Sequence, residues 1–401
     1  MDVFVFDAVR TPRGKGRPNG SLACVSPTDL TVQLVEALRT RNGADAINGT
    51  DLFALGCVTQ TGVQGGHIGL AARVQANLPD ASAVVTLNNF CVSGLSAICE
   101  ATRRVALGES TLALAGGVES MSQATFMSDN APYYSDPARI KAMSWAPPGL
   151  GADLLAAREG IGRDVLDAAT LRSHRRAADA WAGGRYKRRV IPVRGADGNV
   201  ALAHDENVRD YGDGAALAAF QPVFAEAGAA GFDRVLLAHY PDMADLPHTH
   251  TLAHCPPVSD GAALALIGTR AAGLEVGLTP IARIRAYAET AADHVLQLTA
   301  GFDAMALALR RAGLALSDIG AIEFMEAFAA VPVKFERDYA PDMARVNVNG
   351  GHLAMGHPMG ATGAILFAAA LDSMEDLQSD LGLIVATGGV GVGAAMVLER
   401  V

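Results

Sequence analysis

Two residues 266 positions apart, Cys91 and His357, are of types that could do covalent chemistry together. Cys91 lies in Asn88-Asn89-Phe90-Cys91-Val92-Ser93-Gly94, between a strand-like run at Ala83–Leu87 and a helix-like stretch reaching about Leu107. His357 lies in Gly356-His357-Pro358-Met359-Gly360, ahead of a helix-like stretch reaching about Leu371. At a helix N-terminus, unpaired N–H groups and the dipole favour negative charge. A cysteine there has its pKa drawn down from about 8.5 towards about 4–7. A nearby imidazole lowers it further and accepts the thiol proton, the arrangement for a covalent acyl-thioester intermediate. Gly388-Gly389-Val390-Gly391 follows a buried strand, so its N–H groups, with that of Cys91, could hold a thioester oxyanion. The competing reading makes Cys91 a small core residue and the glycines plain close packing. Cys99 reads as core.

For these turns to meet, the chain must fold twice in the same way. The first half gives a strand at Val3–Phe6, a helix around Pro27–Thr40, a strand at Asp51–Val58, and a buried strand from Thr111 to Ala115 ending at Gly116-Gly117. The second gives strands at Ile319–Phe324, Arg345–Asn349 and Leu383–Ala386. Asp51 to Cys91 is 40 positions and Asp318 to His357 is 39; Cys91 to Gly116 is 25 and His357 to Gly388 is 31. The halves therefore read as two copies of one βαβ-type unit around a pseudo-twofold axis. Residues 119–248 are richer in Pro, Asp, Arg and Tyr, with a helix over Arg163–Ala182, and read as an inserted loop domain. The expected division is 1–118 (completed by about 249–270), 119–248 and 271–401.

Composition narrows the classes. Half of the 401 residues are hydrophobic and 18% are charged, so the chain buries a large core. Lys+Arg 32 against Asp+Glu 42 gives −10, which argues against general nucleic-acid binding. No basic-then-apolar leader opens the sequence. Leu381–Leu398 is uncharged, but five glycines favour buried strands joined by a turn over a membrane helix. Five cysteines without a CxxC pair fit reduced thiols and a cytoplasmic location.

Taken together, the motifs resemble the thiolase family. Asn88 to Ala97 resembles its acyl-enzyme signature, Asn-x-x-Cys-x-Ser-Gly-x-x-Ala. Gly350 to Gly363 resembles Gly-Gly-x-x-x-x-Gly-His-Pro-x-Gly-x-x-Gly. Arg10-Thr11-Pro12, Gly116-Gly117-Val118-Glu119-Ser120-Met121-Ser122, Asp260-Gly261-Ala262-Ala263 and Glu326-Ala327-Phe328-Ala329 follow in family order over nearly the whole chain. The resemblance implies a five-layered α-β-α-β-α fold with a loop domain. It also implies coenzyme A thioesters as substrates without a permanently bound cofactor or metal, and a homodimer or homotetramer. Cys91 would be acylated, His357 would activate it, and Gly389 and Cys91 would supply the oxyanion N–H groups.

Two family positions differ. The second catalytic Cys aligns with Thr387, and the Asn of Asn-Glu-Ala-Phe aligns with Met325, next to Glu326. Losing a positioned acid/base costs roughly 10²–10⁴ in rate. The expected activity is acyl transfer through acyl-Cys91, to CoA or another acceptor, by β-ketoacyl-CoA thiolysis or Claisen condensation. A specialised biosynthetic acceptor stays open, as does a catalytically silent subunit that binds acyl-CoA or scaffolds a partner. Residues 172–194 hold eight Lys/Arg and one acid, and with Ser259 offer Arg185, Arg188 and Arg189 as candidates for CoA phosphates. His239, His248, His250 and His254 suggest either a metal site or a pocket wall, and His352 a replacement base.

Overall fold

A computed structural model describes residues 1–401. Twelve strands run in chain order: β1 (Val3–Arg10), β2 (Gly14–Lys15), β3 (Leu52–Gly56), β4 (Ala83–Leu87), β5 (Leu112–Ser120), β6 (Val193–Arg194), β7 (Val200–Leu202), β8 (Ser259–Gly268), β9 (Ala282–Ala291), β10 (Ala321–Phe324), β11 (Leu381–Gly388) and β12 (Val392–Arg400). The main sheet follows the order β10-β11-β12-β9-β1-β8-β5-β3-β4, with β2 on the side of β8 and β6-β7 apart.

That order carries the duplication. Outwards from β1 run β8, β5, β3 and β4; outwards from β9 run β12, β11 and β10. The first links on each side are antiparallel, and the β3–β5 and β10–β11 links are both parallel. The missing outer strand of the second copy is reduced to one bridge, Ile322 with Val346. The strand expected over 345–349 does not form because Asn347 takes φ +45° and its side chain binds both the N–H and C=O of Phe324. The copies join edge to edge where Val3, Phe4 and Val5 pair with Ile284, Arg283 and Ala282.

Side-chain alternation fixes the layers. On β1, Val3, Val5 and Ala8 enter the large central core, while Phe4, Phe6 and Val9 face an outer core with Leu30, Leu34 and Leu38 of the Pro27–Asn42 helix. Ser26 caps that helix by accepting the Asp29 N–H, with Pro27 in its first turn. The Ala300–Ala312 helix covers β9 and β12 on the far side. Between the sheet halves lie the Ser93–Leu107 and Thr362–Asp376 helices, packed on each other and on both halves. The result is the expected five-layered α/β arrangement. β5 runs on through Gly116-Gly117 to Ser120 because β8 pairs with it throughout. The uncharged run 381–398 is β11 and β12, joined by the glycine turn. No helix is long and apolar enough to cross a membrane.

Candidate active site

The two central helices cross where neither has a side chain. A Cβ on Gly94 would lie 2.8 Å from the Gly360 carbonyl oxygen, and one on Gly363 would lie 2.4 Å from the Leu95 nitrogen. This contact brings the turns that precede both helices to one place. In the first turn, Phe90 takes φ +45°. Asn88 Oδ1 accepts its N–H at 2.9 Å, and Ser93 Oγ donates to its carbonyl at 2.6 Å. In the second, His357 is not yet helical: its N–H donates to the Pro257 carbonyl at 2.8 Å and it bridges Val258. The helix proper starts at Thr362. Both residues therefore stand ahead of their helices rather than in the first turn.

Cys91, His357, Met325, Thr387 and Gly389 all line one cavity of about 470 Å³. Its remaining wall is largely apolar, including Met121, Phe126, Phe224, Leu298 and Phe328. His357 Nδ1 lies 2.6 Å from Thr362 Oγ1, and that hydroxyl donates to the Pro358 carbonyl at 3.1 Å. The hydroxyl proton is thus used, so Thr362 accepts from Nδ1–H and the lone pair sits on Nε2. Burial, with the positive charge of Arg13, lowers the His357 pKa to about 3. Arg13 is itself buried and donates to the Gly356 carbonyl at 2.8 Å.

Burial pushes the Cys91 thiol up to about 11, against hydrogen bonds from the backbone N–H groups of Gly389 and of Cys91 itself. This corrects the expected depressed pKa: the helix end lies two residues on, and desolvation outweighs the two N–H donors. At rest the pair is neutral thiol and neutral imidazole. The glycine turn packs directly on Cys91: a Cβ on Gly388 would lie 3.2 Å from both the Cys91 nitrogen and its Cβ. The Gly389 turn is held by Gln297, whose Oε1 accepts the Val390 N–H at 3.2 Å and whose Nε2 donates to the Ala146 carbonyl at 2.8 Å.

Several expected site residues lie elsewhere. Glu326 is buried behind the cavity and accepts from Ser173 Oγ at 2.6 Å and from the Asn347 amide and the Leu353 N–H, each at 3.1 Å. It braces the turn before His357. Ser259 is buried, donating to the Pro257 carbonyl and accepting from Asn207. Arg188 and Arg189 pair with Asp372, Glu375 or Asp376 at the acidic end of the Thr362–Asp376 helix, and Arg185 donates to Asn349 Oδ1. These contacts pin the inserted segment to the second half; Arg188 and Arg189 are matched by carboxylates, Arg185 is tied to Asn349, and none of the three lines the cavity. His248 and His250 bind Asp153, and His254 binds Asp167; neither His250 nor His254 lines the cavity. His352 is buried with its ring centre 6.0 Å from that of His357 and does not reach the cavity.

The sequence reading missed Thr362, although a hydroxyl five residues after His357 was a visible signal. Arg13 and Gln297 reach the site through the fold and give no local signal. It also missed an outer chamber of about 330 Å³ lined by Arg17, His174, Arg209 and Tyr211, which shares Leu252, Cys255, Pro256 and Val258 with the inner cavity.

A family model described as the thiolase N-terminal domain matches residues 3–231, and one described as the thiolase C-terminal domain matches residues 278–400. The chain is 33% identical to a 3-ketoacyl-CoA thiolase of Cronobacter sakazakii and 34% identical to one of Escherichia coli O1:K1, covering 100% of this chain and 99% of each relative. The crystal structure of the Bacillus anthracis acetyl-CoA acetyltransferase superposes with a TM-score of 0.85 at 25% identity, over 100% of this chain and 99% of that one.

Proposed function

The chain belongs to the thiolase family and is a thiolase-type acyltransferase, and from that premise we propose that it exchanges acyl groups between 3-ketoacyl-CoA and CoA through an acyl-Cys91 thioester. The observation that carries this reading is the shared cavity of Cys91, His357 and Gly389. His357 Nε2 takes the Cys91 proton as the thiolate attacks the 3-keto carbon. The N–H groups of Cys91 and Gly389 hold the oxygen that becomes negative. The closeness of the Gly388-Gly389 turn to Cys91 supports this reading: a Cβ on Gly388 would lie 3.2 Å from the Cys91 nitrogen. The α-carbon departs as the enolate of acetyl-CoA, and CoA thiol then collects the acyl group. A wall of Met, Phe, Leu and Val side chains suits an acyl chain longer than acetyl.

In this reading CoA lies in the outer chamber, with Arg17 and Arg209 near its phosphates. They replace Arg185, Arg188, Arg189 and Ser259 as candidates, and the segment 119–248 remains the CoA-binding domain through Arg209. The chain acts as a homodimer joined along β4, an edge strand whose residues are half-exposed or exposed beside exposed Leu70 and Val74. Five unpaired cysteines support a cytoplasmic setting.

The test is CoA-dependent cleavage of a 3-ketoacyl-CoA series from four to ten carbons. The wild type is expected to cleave the longer members faster than acetoacetyl-CoA. Cys91→Ala and His357→Ala are expected to lose about 10²–10⁴ in rate or more. Full activity in Cys91→Ala overturns the reading.

A further inference from the structure

Carbon–carbon cleavage asks two proton-handling groups of the cavity. One accepts the Cys91 proton. The other must protonate the α-carbon when the bond breaks. Of the residues lining the cavity, only Cys91, Cys255 and His357 carry a titratable side chain. Cys91 is occupied by the acyl group at that moment. His357 by then holds the Cys91 proton on Nε2 and must keep it to return it to Cys91 at the end of the cycle, while its Nδ1 proton is held by Thr362. Thr387 presents a buried hydroxyl with no partner, which calls for a polar ligand atom beside it, but an aliphatic hydroxyl has no useful acidity near neutrality.

Cys255 remains, and the fold puts it in the right strip of chain. Two residues on, the Pro257 carbonyl receives the His357 N–H; three residues on, Val258 bridges His357. Cys255 lines both the inner cavity and the outer chamber, where the two meet. At rest its Sγ–H donates to the Thr251 carbonyl at 3.3 Å, a weak thiol contact that rotation about χ1 exchanges for one into the cavity. We propose that Cys255 is the acid–base group of the carbon–carbon step. This rests on the thiolase reading above.

The protons balance. The Cys91 thiolate bonds to C3 of the 3-ketoacyl-CoA, and the C2–C3 bond breaks with its electron pair going to C2. Cys255 Sγ gives its proton to C2, and acetyl-CoA leaves. The Cys255 thiolate then takes the proton of the incoming CoA thiol. The CoA thiolate attacks the acyl-Cys91 carbonyl, releasing acyl-CoA and the Cys91 thiolate, which recovers its proton from His357. Burial pushes the Cys255 thiol up to about 12, so it enters the cycle protonated, as a donor.

The experiment compares wild type, Cys255→Ala, Cys255→Ser and Cys255→Ala/Thr387→Cys. Three readouts are taken: Cys91 acylation from acetyl-CoA by intact mass, cleavage of acetoacetyl-CoA and 3-ketooctanoyl-CoA by CoA, and deuterium uptake into the acetyl-CoA methyl group in D₂O. In both single variants, cleavage and deuterium uptake are expected to fall by about 10²–10⁴ while acylation stays within about threefold. The double variant is expected to regain at least about tenfold of the cleavage, by returning an acidic thiol to the cavity. Cleavage and exchange at wild-type rates in Cys255→Ala overturn the proposal. So does equal loss of acylation and cleavage in both single variants, which makes Cys255 structural. A wild type that acylates Cys91 but neither cleaves nor exchanges also overturns it, leaving acyl transfer in place with a different acceptor. A wild type that never acylates Cys91 removes the thiolase reading and this proposal together.

Discussion

Cys91 and His357 are both uncharged at rest, and this decides how the site responds to pH. Burial raises the thiol to about 11 and lowers the imidazole to about 3. Above the imidazole value His357 is a free base; below the thiol value Cys91 keeps its proton. Neither titrates between pH about 5 and 9, so proton transfer occurs only with the carbonyl in place. Alkylation of the free enzyme by iodoacetamide, followed at the Cys91 peptide, is therefore expected to rise about tenfold per pH unit from about 7 to 10. A resting thiolate–imidazolium pair would instead give a plateau by about pH 7. The identities of both residues were legible in the sequence because their flanking types are unusual: Asn88 and Ser93 around Cys91, and glycines around His357. Their pKa values were not legible. Desolvation and the buried Arg13 guanidinium come from chain segments hundreds of residues away.

At the scale of elements, the site depends on two helices approaching until backbone meets backbone. Gly363→Ala places a methyl 2.4 Å from the Leu95 nitrogen, and a helix interior cannot yield there. Overpacking of this kind costs about 1–3 kcal/mol, and a shift of about 1 Å in a reacting group costs about 10² in rate. Gly363→Ala is thus expected to lose about 10² in turnover and to melt at lower temperature, with Cys91 still alkylated. Gly108→Ala, at the solvent end of the Ser93–Leu107 helix, is the contrast: at φ +81° the alanine is strained and lowers the melting temperature too, but turnover is expected to stay near wild type. Unchanged turnover in Gly363→Ala contradicts the crossing argument. Element types were readable from periodicity: Ala83–Leu87 and Arg163–Ala182 stand where the spacing put them. The expectation for 345–349 failed because a side chain, Asn347, satisfies the backbone groups a strand would have used. Within the basic run 172–194, Arg188 and Arg189 were misread for a similar reason, since their partners Asp372, Glu375 and Asp376 are distant in sequence.

At the scale of the whole molecule, the mirrored strand order about β1 and β9 explains why residues 266 positions apart share a cavity. The repeat was visible in near-equal spacings; the edge joining of the copies was not, because it involves only three residue pairs. The inserted segment then walls the cavity with Phe126, Pro148 and Phe224 and opens the outer chamber beside Cys255. All of this predicts one covalent event. Wild-type protein mixed with 3-ketooctanoyl-CoA without free CoA, quenched and digested, should carry a hexanoyl group on the Cys91 peptide, and adding CoA should discharge it. Acyl label on another residue, or none on Cys91 while substrate is consumed, contradicts the account.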